Sequence, residues 1–331
     1  MKMRQARLIT ALALGILSTP LAADAQQPGK IPRIGYLRSG STADATRYGE
    51  ALRQGLRDLG YIEGQNITIE TRTADGHYER LPGLAAELLR LPVDVIAAGG
   101  TPAIRAAKQA TSTVPIVMAV STDPVGAGLV ESLARPGGNV TGLSLGAGEQ
   151  FAGKWVELLK EIVPRASRVA AVWDPLAGPH VQSFVRATEV SAQAAGVRLQ
   201  LLQARTAKEI EGAFAAMSAR GAEALIVLPS SQFNAERKRI VELAAKHRLP
   251  AIYEHREFVD VGGLMSYGAN LLALFRRAAY YVDRILKGTE PADLPVEQPT
   301  TFEMVINLKA AKALGLTIPQ IILLRADHVI Q

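Results

Sequence analysis

After residue 32 the sequence alternates short apolar strands with amphipathic helices, and this alternation constrains the fold more than any other feature. The segment RIGYL (33–37) predicts a buried strand, and a helix predicted over 46–60 places Tyr48, Leu52 and Leu56 on one face before Gly60. The same order continues, with strands predicted over 66–74, 93–100 and 115–120 and helices over 79–91, 101–111 and 123–134. Repeated βα units predict a parallel sheet with helices on both faces.

A second series of the same kind begins at residue 149. It predicts helices over 149–162, 179–195, 207–219 and 234–247 and strands over 168–173, 197–204, 224–229 and 251–254. Glycine-rich segments at 135–148 and 261–270 indicate crossings between two lobes, and a long amphipathic helix runs from Leu271 to Gly288 before a last strand and helix over 300–316. We therefore predict an α/β fold of two doubly wound parallel-sheet lobes joined by a three-crossing hinge. The first lobe comprises residues 31–140 and 268–299, and the second comprises 141–267 and 300–331.

The first 25 residues have the pattern of a cleaved signal peptide. Three basic residues precede the apolar run 8–18, and Ala23 and Ala25 form a small-x-small cleavage site. The run is shorter than a membrane span requires, and no later segment is long enough. We expect cleavage near Ala25 and a periplasmic product that does not span the membrane.

Composition excludes several kinds of site. The chain has no cysteine, which rules out disulfides, thiolate catalysis and zinc–sulfur centres. Its five histidines show no i,i+3 or i,i+4 pairing, and no complete phosphate-binding or dinucleotide-binding motif is present, so we expect no metal and no cofactor. The net charge of +6 is spread along the chain without a basic cluster, which argues against nucleic-acid binding.

Four predicted strand ends share one chemistry. In open α/β sheets ligands bind beyond the carboxyl ends of the strands. Oxygen-bearing residues adjoin a proline at each of these ends, in Thr101-Pro102, Asp123-Pro124, Asp174-Pro175 and Pro229-Ser230-Ser231. Any one of them alone indicates an ordinary helix cap. Because two come from each lobe, they can converge on one cleft.

These strand ends supply the candidate ligand-binding residues. We expect the Thr101 hydroxyl and the N–H groups of Ala103 and Ile104 to receive a carboxylate or another acceptor oxygen. Glu254 is the candidate partner of an amine, with a solvated charge as its alternative, whereas Asp123 is better explained as a helix cap. Trp173 and Tyr253 could form apolar walls, with core packing as the competing account. The other candidates are Ser39, Gly100, Ser121, Thr122, Asp174, Ser230 and Ser231.

One motif favours an enzyme instead. The segment GLSLG (142–146) matches G-x-S-x-G, the nucleophile elbow of hydrolases, which would make Ser144 the nucleophile of a secreted serine hydrolase. The preceding RPGGNVT is hinge-like rather than a buried strand, and no HGG segment for an oxyanion loop is present. The hydrolase therefore remains an alternative to a binding protein.

Several stretches resemble one protein family. They are PRIGYL, GGTPAIRAAK, PIVMAVSTDPVGAGLVESLARPGGNVTGLS, VGGLMSYGANL and LPVEQPTTFEMVINLKAAKALGLTIP. In these segments the chain resembles the periplasmic substrate-binding proteins of ABC transporters, in the group that includes tryptophan- and aromatic-amino-acid-binding members. The resemblance implies a type I periplasmic-binding fold, no catalysis, and permease and ATPase partners.

The leading hypothesis from the sequence is an exported, monomeric solute receptor. It would close its lobes on a small organic ligand, an amino acid or an aromatic compound, and deliver it to an ABC permease. A sensory ligand-binding domain is a further alternative, because sequence alone does not separate sensing from transport.

Overall fold

The computed structural model describes residues 30–146, 149–178 and 181–331, so the predicted signal peptide over residues 1–25 lies outside the described residues. A first sheet contains five parallel strands in the order β2-β1-β3-β4-β5. These strands are β1 (Arg33–Arg38), β2 (Thr68–Thr73), β3 (Val95–Gly99), β4 (Ile116–Ser121) and β5 (Val140–Ser144). A parallel order with helical connections is what the βα alternation predicts.

The second sheet has seven strands, in the order β12-β11-β10-β9-β8-β6-β7. These strands are β6 (Arg168–Trp173), β7 (Arg198–Gln203), β8 (Ala224–Val227), β9 (Ala251–Tyr253), β10 (Met265–Gly268), β11 (Glu303–Asn307) and β12 (His328–Ile330). All neighbours are parallel except β10 and β11, which are antiparallel. The reversal arises because β10 leads the chain out of this sheet and β11 brings it back.

The helices of the described residues are numbered α1 to α12. They are α1 (Thr42–Asp58), α2 (Leu81–Arg90), α3 (Thr101–Ala110), α4 (Glu149–Ile162), α5 (Val181–Ala194), α6 (Ala207–Ala219), α7 (Ser231–Ala235), α8 (Arg237–Lys246), α9 (Arg256–Asp260), α10 (Leu271–Leu286), α11 (Leu308–Ala313) and α12 (Gln320–Arg325). We call the first sheet with α1–α3 and α10 the first lobe, and the second sheet with the other helices the second lobe. None of these helices combines the length and the apolar character that crossing a membrane requires.

Alternate side chains of the first sheet enter two separate cores. Ile34 and Tyr36 pack in a cluster with residues of α1 and α10, whereas Leu37 packs with residues of α2 and α3 on the other face. In the first of these clusters Phe275 of α10 stacks on Tyr48 of α1, with ring centroids 4.8 Å apart. The second sheet likewise has a core on each face. Helices therefore cover both faces of each sheet, which confirms the predicted doubly wound fold.

The chain crosses between the lobes three times, after β5, after β10 and before β11. The boundary predicted between residues 140 and 141 divides β5, whose residues pair with β4 in the first sheet. The glycine-rich segment 135–148 is therefore not only a linker, because it contains a buried strand. The boundary predicted between residues 267 and 268 falls one residue before the end of β10.

The helix predicted over 123–134 is wrong. These residues form a series of turns, in which the N–H of Gly126 donates to Asp123 Oδ1 at 2.9 Å and the N–H of Leu129 donates to Pro124 O at 2.8 Å. Glycines at 126 and 128 lower the helix propensity of the segment, and Gly128 adopts a positive φ that ends any helical run.

Candidate ligand-binding site

The candidate site lies where the winding of each sheet reverses. In the first sheet this switch point lies between β1 and β3, and in the second it lies between β6 and β8. Crevices at such points, beyond the carboxyl ends of the strands, are the usual ligand sites of open α/β sheets. The strand ends at these two points face each other across one cavity, which residues of both sheets line.

Residues of both lobes line this cavity. Those that the sequence analysis selected are Gly100, Thr101, Thr122, Ser230, Ser231 and Glu254. Those that it missed are Arg38, Pro102, Val120, Leu145, Ala177, Pro229, Asn234, His255 and Leu271. The structure places seven selected residues outside the lining, namely Ser39, Ala103, Ser121, Asp123, Trp173, Asp174 and Tyr253.

The N-terminus of α3 differs from the predicted anion site. Gly100 is the N-cap, with φ of 94°, and Thr101 is the first helical residue rather than the cap. The N–H groups of Ala103 and Ile104 both donate to Gly100 O, at 3.0 and 3.2 Å. These two N–H groups are therefore not available to a ligand, and the prediction that they receive a carboxylate is wrong.

The Thr101 hydroxyl joins two strand ends of the first lobe. Its Oγ1 accepts a hydrogen bond from the N–H of Thr122 at 3.2 Å and lies 3.5 Å from Ser121 Oγ. All three residues are buried, and Thr101 and Thr122 line the cavity. Thr101 thus fixes the position of the β4 end relative to α3 in addition to facing the cavity.

Three other candidates have structural roles. Asp123 caps a turn through Gly126 rather than a helix. Trp173 is buried in a core cluster of the second lobe, and Tyr253 stacks on Phe258 with ring centroids 4.6 Å apart. Neither aromatic ring forms a wall of the cavity, because both point into the layers that pack against the second sheet.

Asp174 and Ser230 hold together the strand ends of the second lobe. Ser230 caps α7, and its hydroxyl donates to Asp174 Oδ2 at 2.8 Å. The N–H of Leu176 donates to Asp174 Oδ1 at 2.9 Å. Burial raises the pKa of Asp174, and these hydrogen bonds oppose the rise.

Several contacts join the lobes around the cavity. The Ser39 hydroxyl donates to Ser231 Oγ at 2.9 Å, and Tyr78 Oη accepts from the N–H of Gln232 at 2.9 Å. At the rim, Arg237 Nη1 lies 3.1 Å from Asp44 Oδ2. The lobes are therefore closed on the cavity in this structure.

Glu254 follows β9, lines the cavity and has a buried carboxylate. Only 3% of the residue is exposed, and neither carboxylate oxygen has a hydrogen-bond partner among the described residues. His255 Nε2 lies 3.1 Å from Glu254 Oε2. Burial raises the pKa of Glu254, while His255 lowers it. The alternative of a solvated charge does not apply.

Ser144 lies at the end of β5, not at a strand-to-helix turn. It is fully buried, and its Oγ accepts a hydrogen bond from the N–H of Gly146 at 3.0 Å. Among the described residues no histidine is hydrogen-bonded to it. The geometry of a nucleophile elbow is therefore absent from the described part of the chain. Nor does that part contain a group of three or more His, Asp or Glu residues able to hold a metal ion.

Comparisons with known proteins agree with the fold. The model of the ABC transporter substrate binding protein family matches residues 37–330. The chain belongs to this family. Within the family of ABC transporter substrate-binding proteins, it is 29% identical over 262 residues to the tyrosine-binding protein of Clostridioides difficile, covering 79% of this chain and 74% of that one.

Two solved structures show how far the likeness of this substrate-binding protein extends. A conserved domain protein from Vibrio cholerae superposes with a TM-score of 0.84 at 30% identity, covering 91% of this chain and all of the other. An ABC domain from Streptococcus pneumonia in complex with L-Trp also gives a TM-score of 0.84, at 28% identity, covering 90% of this chain and 99% of the other. The similarity thus includes both lobes, and it confirms the resemblance to the ABC-transporter substrate-binding family with its tryptophan- and aromatic-amino-acid-binding members.

Proposed function

We propose that this substrate-binding protein is the periplasmic receptor of an ABC importer and that it closes its two lobes on an amino acid or a related aromatic compound. The observation that carries the proposal is the cavity between the lobes, which is lined by the strand ends of both sheets. A ligand in this cavity contacts both lobes only when they are closed, so its binding energy favours the closed state.

Glu254 gives the cavity a preference for an amine. Its carboxylate is buried, and no described donor other than His255 lies near it. A buried charge without a hydrogen-bonded partner is costly, and an ammonium group would supply both the charge and the donors that Glu254 lacks. An amine-bearing ligand such as the amino acids bound by the two relatives fits this position.

The proposal also includes export to the periplasm and docking on a transporter in the membrane. A signal peptide cleaved near Ala25 would deliver the protein to the periplasm as a monomer, where the closed form would dock on a permease served by an ATPase subunit. The support for these partners is membership of the family.

Lobe closure can be measured directly. The chain has no cysteine, so Val125→Cys in the first lobe and Leu176→Cys in the second, both exposed, can be labelled specifically for energy transfer. We expect L-tryptophan or L-tyrosine to shorten the distance between the labels and to raise the melting temperature, since a bound ligand stabilises by mass action. A screen of amino acids and aromatic acids in which no compound shortens the distance would refute the proposed function.

A further inference from the structure

The cavity also contains a cation that the sequence analysis did not select. Arg38 is the last residue of β1 and lines the cavity, although only 6% of it is exposed. Its Nε is buried without a hydrogen-bond partner, and the guanidinium forms no hydrogen bond or ion pair with any described residue. Buried arginines are nearly always paired, so this one is an exception that requires an explanation.

Two carboxylates that act on Tyr48 together with Arg38, those of Asp44 and Glu257, already have other partners. Asp44 receives Arg237 at 3.1 Å and the Ser41 hydroxyl at 2.8 Å. Glu257 lies 3.7 Å from Arg47. Neither is within ion-pair distance of Arg38. Among the described residues, Arg38 therefore forms no ion pair with a carboxylate.

Two aromatic rings hold the guanidinium in place. The Arg38 Cζ atom lies 4.9 Å from the centroid of Tyr48 and 4.7 Å from that of Phe275. Such cation–π contacts fix the guanidinium group while leaving its N–H donors free. A guanidinium held in this way is suited to bidentate binding of a carboxylate.

We propose that Arg38 is the carboxylate anchor of the cavity, replacing the helix N-terminus that the sequence suggested for this role. The inference rests on the proposed function, because it concerns the ligand of the same cavity. Arg38 belongs to the first lobe and Glu254 to the second, so the two lobes present opposite charges to one ligand. A zwitterion with a carboxylate and an ammonium group satisfies both, which makes each lobe recognise a different end of an amino acid.

The test compares three probes that differ in one group. L-tryptophan has both charges, L-tryptophanamide lacks the carboxylate, and indole-3-propionate lacks the ammonium group. Isothermal titration should show that Arg38→Gln weakens the binding of L-tryptophan and of indole-3-propionate about 10- to 100-fold. This is the fold-change expected when a hydrogen bond to a charged group is lost. Binding of L-tryptophanamide should change less than about threefold. The affinity of Arg38→Lys for the two carboxylate probes should lie between those of the wild type and Arg38→Gln, because lysine keeps the positive charge but cannot form the bidentate hydrogen bonds of a guanidinium group.

Two controls separate ligand recognition from folding. Arg72→Gln removes an arginine that pairs with Glu87 outside the cavity and should leave all three affinities unchanged. Melting curves without ligand report any loss of stability from Arg38→Gln. The ratio of the affinities for L-tryptophan and L-tryptophanamide is independent of that loss.

The outcomes also distinguish this inference from the proposed function. Equal weakening of all three probes by Arg38→Gln, or unchanged binding of L-tryptophan, would overturn the anchoring role while lobe closure stands. The same conclusion would follow if the ligands that close the lobes of the wild type lacked a carboxylate. If no compound closes the lobes, the proposed function itself fails.

Discussion

Tyr78 of the first lobe accepts a hydrogen bond from the main-chain N–H of Gln232 in the second lobe, at 2.9 Å. The same hydroxyl lies 3.5 Å from Asp174 Oδ2, and Arg205 lies over the ring. Burial and the Asp174 carboxylate raise the pKa of Tyr78, so the phenol stays protonated at neutral pH. Because its partners lie on the other lobe, this hydroxyl stabilises the closed state specifically.

Tyr78→Phe should therefore shift the protein toward the open state. It removes the hydroxyl but keeps the ring under Arg205. The loss of one hydrogen bond, about 1 kcal/mol, should weaken ligand binding about fivefold and increase the dissociation rate. Stopped-flow fluorescence would measure the rate. The Tyr61 hydroxyl contacts Asp283 within the first lobe, so Tyr61→Phe should leave the dissociation rate unchanged. Equal rates in all three proteins would contradict the proposed role of the Tyr78 hydroxyl.

Glu254→Gln should remove one contribution to the pH dependence of stability in the ligand-free protein. The pKa of Glu254 is raised in the folded state, so the folded protein binds its proton more tightly than the unfolded chain does. Stability from this group is then lost as pH rises from the ordinary carboxyl range toward the raised pKa. Urea unfolding at a series of pH values from about pH 4 upward should show that the wild type loses stability relative to Glu254→Gln as the pH rises.

The exposed Glu242→Gln on α8 is the matched control and should leave the pH dependence unchanged. Glu254→Gln should also weaken the binding of L-tryptophan by at least about tenfold, but that of indole-3-propionate, which has no ammonium group, by less than about threefold. Equal weakening of both probes would contradict the proposal that Glu254 binds an ammonium group.

Gly100→Ala should keep the lobes apart. A Cβ at this position would lie 2.7 Å from Ser231 Oγ of the second lobe and would also collide with Ser39 Oγ. The φ of 94° adds backbone strain of about 1 kcal/mol. Gly60→Ala also places a Cβ at a positive φ, 89°, but with no atom in the way. We expect Gly100→Ala to lose more stability than Gly60→Ala, because its Cβ also meets Ser39 Oγ within the first lobe. Only Gly100→Ala should lose ligand-induced compaction in small-angle scattering. Compaction like that of the wild type would refute the steric argument.

Thr101→Ala should destabilise the first lobe even without ligand. It leaves the N–H of Thr122 buried and unpaired, at a cost of about 1–3 kcal/mol in the free energy of unfolding. Thr101→Ser keeps the acceptor and should lose less than about 1 kcal/mol. Chemical unfolding of the two variants would show the difference, and equal stabilities would mean that the hydroxyl has no structural role.

Hydrophobic periodicity was sufficient to predict most of the architecture. Helix α6 and strand β6 have the bounds that the sequence predicts, because an N-cap threonine and a continuous apolar run mark them clearly. The prediction of a helix after Asp123 was wrong because it rested on the spacing of apolar residues and did not account for the conformational freedom of Gly126 and Gly128. Local pattern is a weak guide where glycine is frequent.

The site was harder to predict for two physical reasons. Arg38 was not selected, although its neighbour Ser39 was, because the candidates at the strand ends were chosen mainly for oxygen-bearing side chains. An arginine at the end of an apolar strand is the signal that could have revealed it. The contact between Tyr78 and Asp174 joins residues 96 positions apart on different lobes. Only the relative placement of the two sheets creates it, and no local pattern carries that information.

Helix α10 follows nearly the whole second lobe in the chain, yet it packs against α1 in the first. During synthesis, the ribosome therefore completes strands β1–β10 before it produces the aromatic residue that stacks on Tyr48. The core between the first sheet, α1 and α10 is therefore incomplete until residues after β10 have been synthesised. A truncated product ending before residue 271 would expose the apolar face of α1, and the two lobes of this substrate-binding protein cannot be separated by a single cut of the chain.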